Sequence, residues 1–331
     1  MPLIKLNKNN YEYNLNHIAL KAGGFNKIIC VLKDNAYGHG VDILSPLIKS
    51  MNINFVAVKN ESEANKLVDI FDNILILSHI PNGNENHEFI YAINDINHIL
   101  KFRKNTKIHL KIDTNMHRNG ILVEDLNNAL DLIQKRELKL EGVFTHFLNS
   151  DEIDGSFFVQ KQIFNEVKKY IKTKFDNLIF HSHNSSALFR DDFIEKDEMC
   201  RVGLAQFGYN NFDNNLKKVM SLHAFKLSSR ILKKGQSVGY GGVYTATKDI
   251  NIATYDIGYG DGLLRYNGLG DLFLANNEKM LGKMSMDSFC SKDCGDEICV
   301  FKDVSSFAKF FNTIEYDILV KLSPYIDRIL I

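Results

Sequence analysis

Apolar residues gather in short runs rich in Ile, Val and Phe. Most of these runs are followed by a segment whose apolar positions recur every three or four residues. The first pattern predicts strands and the second amphipathic helices. The predicted strands are KIICVLK (27–33), NFVAVK (54–59), NILILSHI (73–80), EFIYAI (88–93), KIHLKID (107–113), LEGVFTHF (140–147), NLIFHSH (177–183) and CRVGLAQFG (200–208). The helical stretches between them include VDILSPLIKS, ESEANKLVDIF, INHILKFRK, VEDLNNALDLIQKRE and VQKQIFNEVKKYIK. Carboxylates at Glu61, Glu63, Glu124 and Asp125 fall in predicted first turns, where they suit the positive end of a helix. Strands alternating with helices in this way predict an α/β fold, a (β/α)8 barrel of the TIM type. An open doubly wound sheet would carry a GxGxxG turn after its first strand, and KDNAYGHG lacks that spacing.

The texture changes after residue 218. MSLHAFKLSSRILKK, SVGYGGVYTA, NIATYDIGYGDG and DEICVFKD are β-like, short, and separated by glycines and charges. Helical periods return only over 304–322. Two domains are predicted: a barrel over 1–218 and a mostly β C-terminal domain over 219–331.

Composition narrows the function classes. Forty Lys and Arg balance forty Asp and Glu among 331 residues, so no net field favours nucleic acid or an anionic membrane surface. The start, MPLIKLNKNNYEYNL, lacks a signal-peptide core, and no stretch reaches the ~18 apolar residues of a membrane span. Five cysteines, an odd number, fit reduced thiols in a cytoplasm. Cys290, Cys294 and Cys299 lie close together without a CxxC pair, and no metal site is expected there.

Functional residues of such a barrel collect at the C-terminal ends of its strands. Strand 1 ends at Lys33 and leads to Tyr37. Strand 5 ends in Lys111 and Asp113, followed by Arg118. Strand 6 ends in His146, and strand 7 in His181, His183, Asn184 and Ser185. Arg201 is read as the start of strand 8, followed by Gly203. In KIHLKID, Lys107, His109, Lys111 and Asp113 share one face, which is unusual for a strand covered on both sides. Polar side chains that only snorkel at the barrel ends are the alternative. With Lys33, Arg118, His146 and Arg201 nearby, the predicted site is cationic and needs anions. A phosphorylated cofactor and a substrate carboxylate would supply them. A strand-end lysine in a dry site can lose its proton and bond an aldehyde, and pyridoxal 5'-phosphate carries both aldehyde and phosphate.

The run Lys33-Asp34-Asn35-Ala36-Tyr37-Gly38-His39-Gly40 resembles the cofactor-lysine signature of bacterial alanine racemases. Lys111-Ile112-Asp113-Thr114-Asn115-Met116-His117-Arg118-Asn119-Gly120 resembles the family's KxDTGMxRxG run. Thr145-His146-Phe147, His181-Ser182-His183-Asn184-Ser185 and Arg201-Val202-Gly203 follow in family order. So do Gly239-Tyr240-Gly241, Gly258-Tyr259-Gly260-Asp261-Gly262, Arg265 and Met286-Asp287. The resemblance implies a homodimeric racemase that interconverts L-alanine and D-alanine and supplies D-alanine for peptidoglycan. By it, Lys33 would bond pyridoxal phosphate and act as one base. Tyr37, Ser185 and the amides of Gly203 and Leu204 would bind the phosphate, with Asn184 beside them. Arg201 would contact the pyridine nitrogen. Arg118 would contact the cofactor's phenolic oxygen and orient the substrate carboxylate. Lys111 resembles a carbamylated lysine that holds this arginine. Tyr240, reaching into the partner's barrel, would be the second base, with Met286 near the carboxylate. His146 would join Arg201 in lowering the phenol's pKa.

Some positions depart from the pattern. Asn115 replaces a glycine, Asp34 an alanine, and Lys283 a common arginine. Pro324, next to Tyr325, stands where some members place a phosphate-binding tyrosine. Asp151, Tyr259 and Arg265 match corridor residues of the family. A serine or broad-specificity racemase stays open as the substrate alternative. Other classes are a metal-dependent barrel hydrolase using His146, His181, His183 and a modified Lys111, a non-catalytic cofactor carrier, and a decarboxylase of related architecture.

Overall fold

The computed structural model describes all residues 1–331. The chain opens with a strand, β1 (Leu3–Leu6), and a helix, α1 (Lys8–Ala22). It divides into two compact units, one of residues 12–34 and 44–217, the other of residues 1–11, 35–43 and 218–331.

The first unit is a closed barrel of eight parallel strands. They are β2 (Ile28–Val31), β3 (Phe55–Val58), β4 (Asn73–Ile76), β5 (Ile90–Ile93), β6 (Lys107–Lys111), β7 (Lys139–Phe144), β8 (Ile179–His181) and β9 (Glu198–Val202). The last closes on the first, with Ile29 opposite Arg201. All four residues of β2, β3 and β5 are buried, as expected of continuous apolar runs covered on both faces. In β6, His109 and Lys111 are buried as well as Ile108 and Leu110. The polar face of KIHLKID therefore turns inward. Gly142 on β7 leaves room for the His109 ring, since a Cβ there would lie 2.7 Å from it.

Helices of this unit include α5 (Leu126–Arg136), α6 (Ser156–Lys172) and α7 (Ser185–Arg190). Two predicted helices are shorter than their periodicity suggests. ESEANKLVDIF keeps helix only over Glu61–Ala64, where Asn60 caps the Glu63 amide at 3.1 Å. INHILKFRK is a 3-10 turn over Ile96–Lys101, capped by Asp95. The predicted eighth strand is also corrected. β9 ends at Val202, and Leu204–Phe207 form a buried 3-10 turn between Gly203 and Gly208. Short buried helical turns and strands look alike in an apolar run. Arg201 consequently sits at the C-terminal end of its strand, on the functional rim, and not at its start.

The second unit carries a seven-stranded sheet. Its strands are β1, β10 (Met220–Leu232), β13 (Ile250–Tyr255), β14 (Met280–Leu281), β15 (Phe289–Lys292), β16 (Glu297–Phe301) and β17 (Asp327–Leu330). β11 (Ser237–Val238) and β12 (Tyr244–Thr245) form a separate hairpin. Two helices, α8 (Ser305–Phe310) and α9 (Glu315–Lys321), complete it. β1 runs antiparallel to β10 and parallel to β17, so the first strand belongs to the β-rich unit. The expected division at residue 218 misses this, because the four residues LIKL hold no local sign of their distant partners.

Between β2 and the helix α3 (Val41–Ser50) lies α2 (Lys33–Tyr37). It is a left-handed turn: φ is 52°, 55°, 52° and 53° at Asp34, Asn35, Ala36 and Tyr37. Left-handed helical backbone costs L-residues about 1–2 kcal/mol each, so tertiary bonds must hold it. Asn35 Oδ1 accepts from the Val41 amide at 2.9 Å, and Arg328 Nε donates to the Gly38 carbonyl at 2.9 Å. The remaining nitrogens of Arg328 bond the carbonyls of Ser323, Pro324 and Ile326.

Gly38, at φ 77°, passes so close to α9 that an added Cβ would lie 2.1 Å from the Leu319 carbonyl oxygen. Gly38→Ala is expected to destabilise the protein by about 2 kcal/mol or more. Chemical denaturation measures this, and an unchanged midpoint would contradict the packing described.

Candidate active site

The functional rim gathers residues from four strands. Lys33 follows β2 and is half-buried. Lys111 ends β6 and is buried. His146 lies two residues beyond β7, and Arg201 is buried near the end of β9. Arg118 stands on the exposed loop after β6. Asn115 on that loop has φ 79°, a conformation that asparagine tolerates in place of glycine. A cavity of about 730 Å³ opens beside Arg118, lined also by Asn94, Asp113 and Asn119.

His146 reports how closely these groups meet. Burial first, then the charges of Arg201, Arg118, Lys111 and Lys33, push its pKa down to about 3. The imidazole is neutral at physiological pH. A neutral ring adds no positive charge to that of Arg201, Arg118, Lys111 and Lys33 around it. Lys111 is driven down to about 8, by burial and then by Arg118 and Arg201, against a smaller opposing effect of Asp113. Roughly a tenth of it is free amine at pH 7. Its Nζ donates to Asn119 Oδ1, a partner that nothing in the sequence signalled.

Arg201 fixes a line of protons. One of its nitrogens donates to His181 Nδ1 at 2.8 Å, and another to the Thr145 carbonyl at 2.6 Å. A guanidinium can only donate, so His181 Nδ1 is bare and its Nε2 carries the hydrogen. That hydrogen points to His109 Nδ1 at 2.7 Å. His109 must then hold its own hydrogen on Nε2, which is buried without an acceptor. Both imidazoles stay neutral: burial and then Arg201 hold His109 down to about 3 and His181 well below its ordinary value. Burial lowers Arg201 to about 10, and it remains charged at neutral pH. No carboxylate bonds the guanidinium, which lies 5.1 Å over the Phe144 ring.

An anion cradle lies on the same rim. Ser185 Oγ accepts from the Gly203 amide at 2.9 Å and the Ala205 amide at 3.2 Å, with Leu204 between them. The two amides converge on the hydroxyl oxygen and leave its own hydrogen for another acceptor, with no acid among them, which suits an anion such as a phosphate. Asn184 braces the turn: its Oδ1 caps the Ala187 amide at 2.9 Å and its Nδ2 bonds Ser150 Oγ at 2.8 Å.

The two histidines of HSH part company. His181 belongs to the neutral line within the barrel, whereas His183 pairs with Asp191 at 2.9 Å. No three His, Cys, Asp or Glu side chains are arranged to hold a metal ion.

The other predicted residues belong to the β-rich unit. Tyr37 is buried, its ring 5.6 Å from that of Tyr316. Tyr325, the candidate from sequence, is 94% exposed, so Tyr316 and not Tyr325 neighbours Tyr37. Tyr240, in a 3-10 turn over Tyr240–Gly242, and Met286 are 63% and 55% exposed. The Arg265 guanidinium lies 5.6 Å from the Tyr259 ring and the Lys283 ammonium lies near Gly241, while Asp151, in the barrel unit, is exposed.

Glu198, at the start of β9, is held down to about 2; its bonds to His183, Lys168 and Ser182 outweigh the cost of burial. Against an unfolded value of ~4.3, this contributes about 3 kcal/mol at neutral pH. The contribution is lost as pH falls through the folded value. Glu198→Gln is expected to lower stability at pH 7, with the difference from the unmodified protein closing as pH falls toward 2 in urea titrations.

Known proteins resemble this chain along its whole length. The family description "Alanine racemase, N-terminal domain" matches residues 6–211, and "Alanine racemase, C-terminal domain" matches 219–330. The alanine racemase of Campylobacter jejuni subsp. jejuni (strain 81-176) is 61% identical over 331 residues, covering 100% of both chains. In fold, the chain matches the alanine racemase of Clostridium difficile 630 with a TM-score of 0.90 at 24% identity, covering 100% of this chain and 95% of that one. It also matches alanine racemase from Bartonella henselae with covalently bound pyridoxal phosphate, with a TM-score of 0.83 at 22% identity, covering 100% and 99%. The chain belongs to the alanine racemase family.

Proposed function

We propose that this protein racemises alanine as a cytoplasmic homodimer, with pyridoxal phosphate bonded to Lys33. The observation that carries the reading is a rim of cations, Lys33, Lys111, Arg118 and Arg201, beside a cradle of two amides and a hydroxyl, with no carboxylate bonded to Arg201. Such a gathering of positive charge favours anions, and a cofactor phosphate and a substrate carboxylate would supply them. Ser185 and the Gly203 and Leu204 amides would hold the phosphate, with Asn184 bracing them. Arg201, which can only donate, would leave the pyridine nitrogen unprotonated. When bound, the cofactor takes up the electron pair left when the α-proton is removed.

The chain's own groups move the protons. Lys33 Nζ serves one face of the α-carbon and Tyr240 Oη of the partner subunit the other, each taking a proton in one direction and returning it in the other. The exposed Tyr240 and Met286 side chains fit this role, because a dimer would cover them. Arg118 would orient the substrate carboxylate. With Lys111 free in part as an amine, carbon dioxide can add to its nitrogen with loss of one N–H proton to water, and the resulting carbamate would hold Arg118 as an anion. Tyr240 and Met286 would crowd any side chain larger than methyl, which favours alanine over serine.

Two sets of measurements test this reading. Borohydride treatment and peptide mapping should place the cofactor on Lys33, and chiral analysis should find L-alanine and D-alanine interconverted faster than serine. Lys33→Ala and Tyr240→Phe should each lower racemisation by more than about 100-fold, with Tyr240→Phe keeping its cofactor; equal racemisation by Lys33→Ala would refute the assignment. Labelled carbon dioxide should give a carbamate resonance that is absent in Lys111→Ala. At fixed dissolved carbon dioxide that signal should grow as pH rises toward about 8, because deprotonation frees the amine.

A further inference from the structure

His183 has no part in the reaction just described, yet it is 1% exposed and stands two residues before Ser185. Both ring nitrogens face acceptors. Nε2 lies 2.9 Å from Asp191 Oδ2, while Nδ1 lies 2.9 Å from Ser182 Oγ and 3.7 Å from Glu198 Oε2. The Ser182 hydroxyl has one hydrogen, which goes to Glu198 at 2.7 Å. Its oxygen therefore presents a lone pair to Nδ1, and an ionised Asp191 can only accept. Each nitrogen must carry a hydrogen, which makes the ring an imidazolium. Burial opposes this charge, but the bonds to Asp191 and Glu198, and then their charges, outweigh it and raise the pKa above its ordinary value.

The surrounding charges are complementary. Lys161 of α6 also bonds Asp191, and Lys168 of α6 bonds Glu198 at 2.8 Å. The Phe147 ring packs edge-on with its centroid 6.0 Å away. Asp191 ends α7, so His183 ties the two ends of that helix together. Glu198 opens β9, which leads through Arg201 to Gly203. The ring thus joins the two segments that build the anion cradle, one bearing Ser185 and the other the Gly203 and Ala205 amides.

We propose that His183 is a positioning residue for the cofactor phosphate: it clamps α7 to β9 and so keeps Ser185 against the Gly203 and Ala205 amides. The inference rests on the reading of this rim as a pyridoxal phosphate site. It has a pH consequence. A clamp that needs the charged ring is intact below the folded pKa and fails as pH rises through it, so cofactor affinity should fall on the alkaline side.

The test is equilibrium dialysis of pyridoxal phosphate against the full chain, stripped with hydroxylamine, between about pH 6 and pH 10. Thermal unfolding of each sample is recorded in parallel. The unmodified protein should bind the cofactor and lose about tenfold in affinity across the alkaline limb. His183→Gln and Asp191→Asn should bind about tenfold more weakly at neutral pH, with that limb flattened. Unaltered affinity, or weaker binding with the alkaline limb intact, would make His183 merely structural and overturn the proposal. If His183→Gln fails to fold, Asp191→Asn decides by the same criterion. If the unmodified protein binds no pyridoxal phosphate, the reading of the site fails and this inference with it; if it binds and the variants match it, the His183 inference alone fails.

Discussion

Positive charge gathered at one end of the barrel is the constraint on which the rest of the site depends. Lys33, Lys111, Arg118 and Arg201 act together on His146, and burial removes the water that would screen them. Arg201 is satisfied by carbonyls and a neutral imidazole, with no carboxylate bonded to it. An isolated chain pays for this arrangement by neutralising whatever can be neutralised. His146, His109 and His181 all hold their protons less tightly, and Lys111 is driven down to about 8, burial acting first and the neighbouring cations after it. The same rim becomes favourable once anions enter it, so its electrostatics are those of a binding site rather than of a core.

Two histidines one residue apart show how completely the surroundings decide charge. His181 accepts from Arg201 and is neutral, whereas His183 donates to Asp191 and is charged. Both rings are buried, so desolvation works against the proton in each. The difference is that carboxylates face one and a guanidinium faces the other. The inner line sets tautomers beneath the reacting end, and the outer clamp binds together the segments that form the cradle.

Backbone strain adds a second device. Four consecutive residues after Lys33 hold positive φ, and none of them is glycine. Such a turn persists because Asn35 and Arg328 bond its backbone and because Gly38 lets it pass close to α9.

Periodicity pointed to the barrel and to the change to a β-rich region, because buried parallel strands need continuous apolar runs and amphipathic helices need their repeat. The motif runs around Lys33, Lys111 and Arg201 were legible too, enough to point to the family that the chain belongs to. Tertiary structure alone decided that LIKL joins a sheet more than 200 residues away, because a four-residue strand carries no address for its partners. Only folding placed Arg201 at the rim, ended the eighth strand at Val202, and gave Lys111 to Asn119 and Tyr37 to Tyr316. It also set the charges of His146, His181 and His183, since a pKa depends on which groups surround a side chain and how little water reaches it, and neither is written in local sequence.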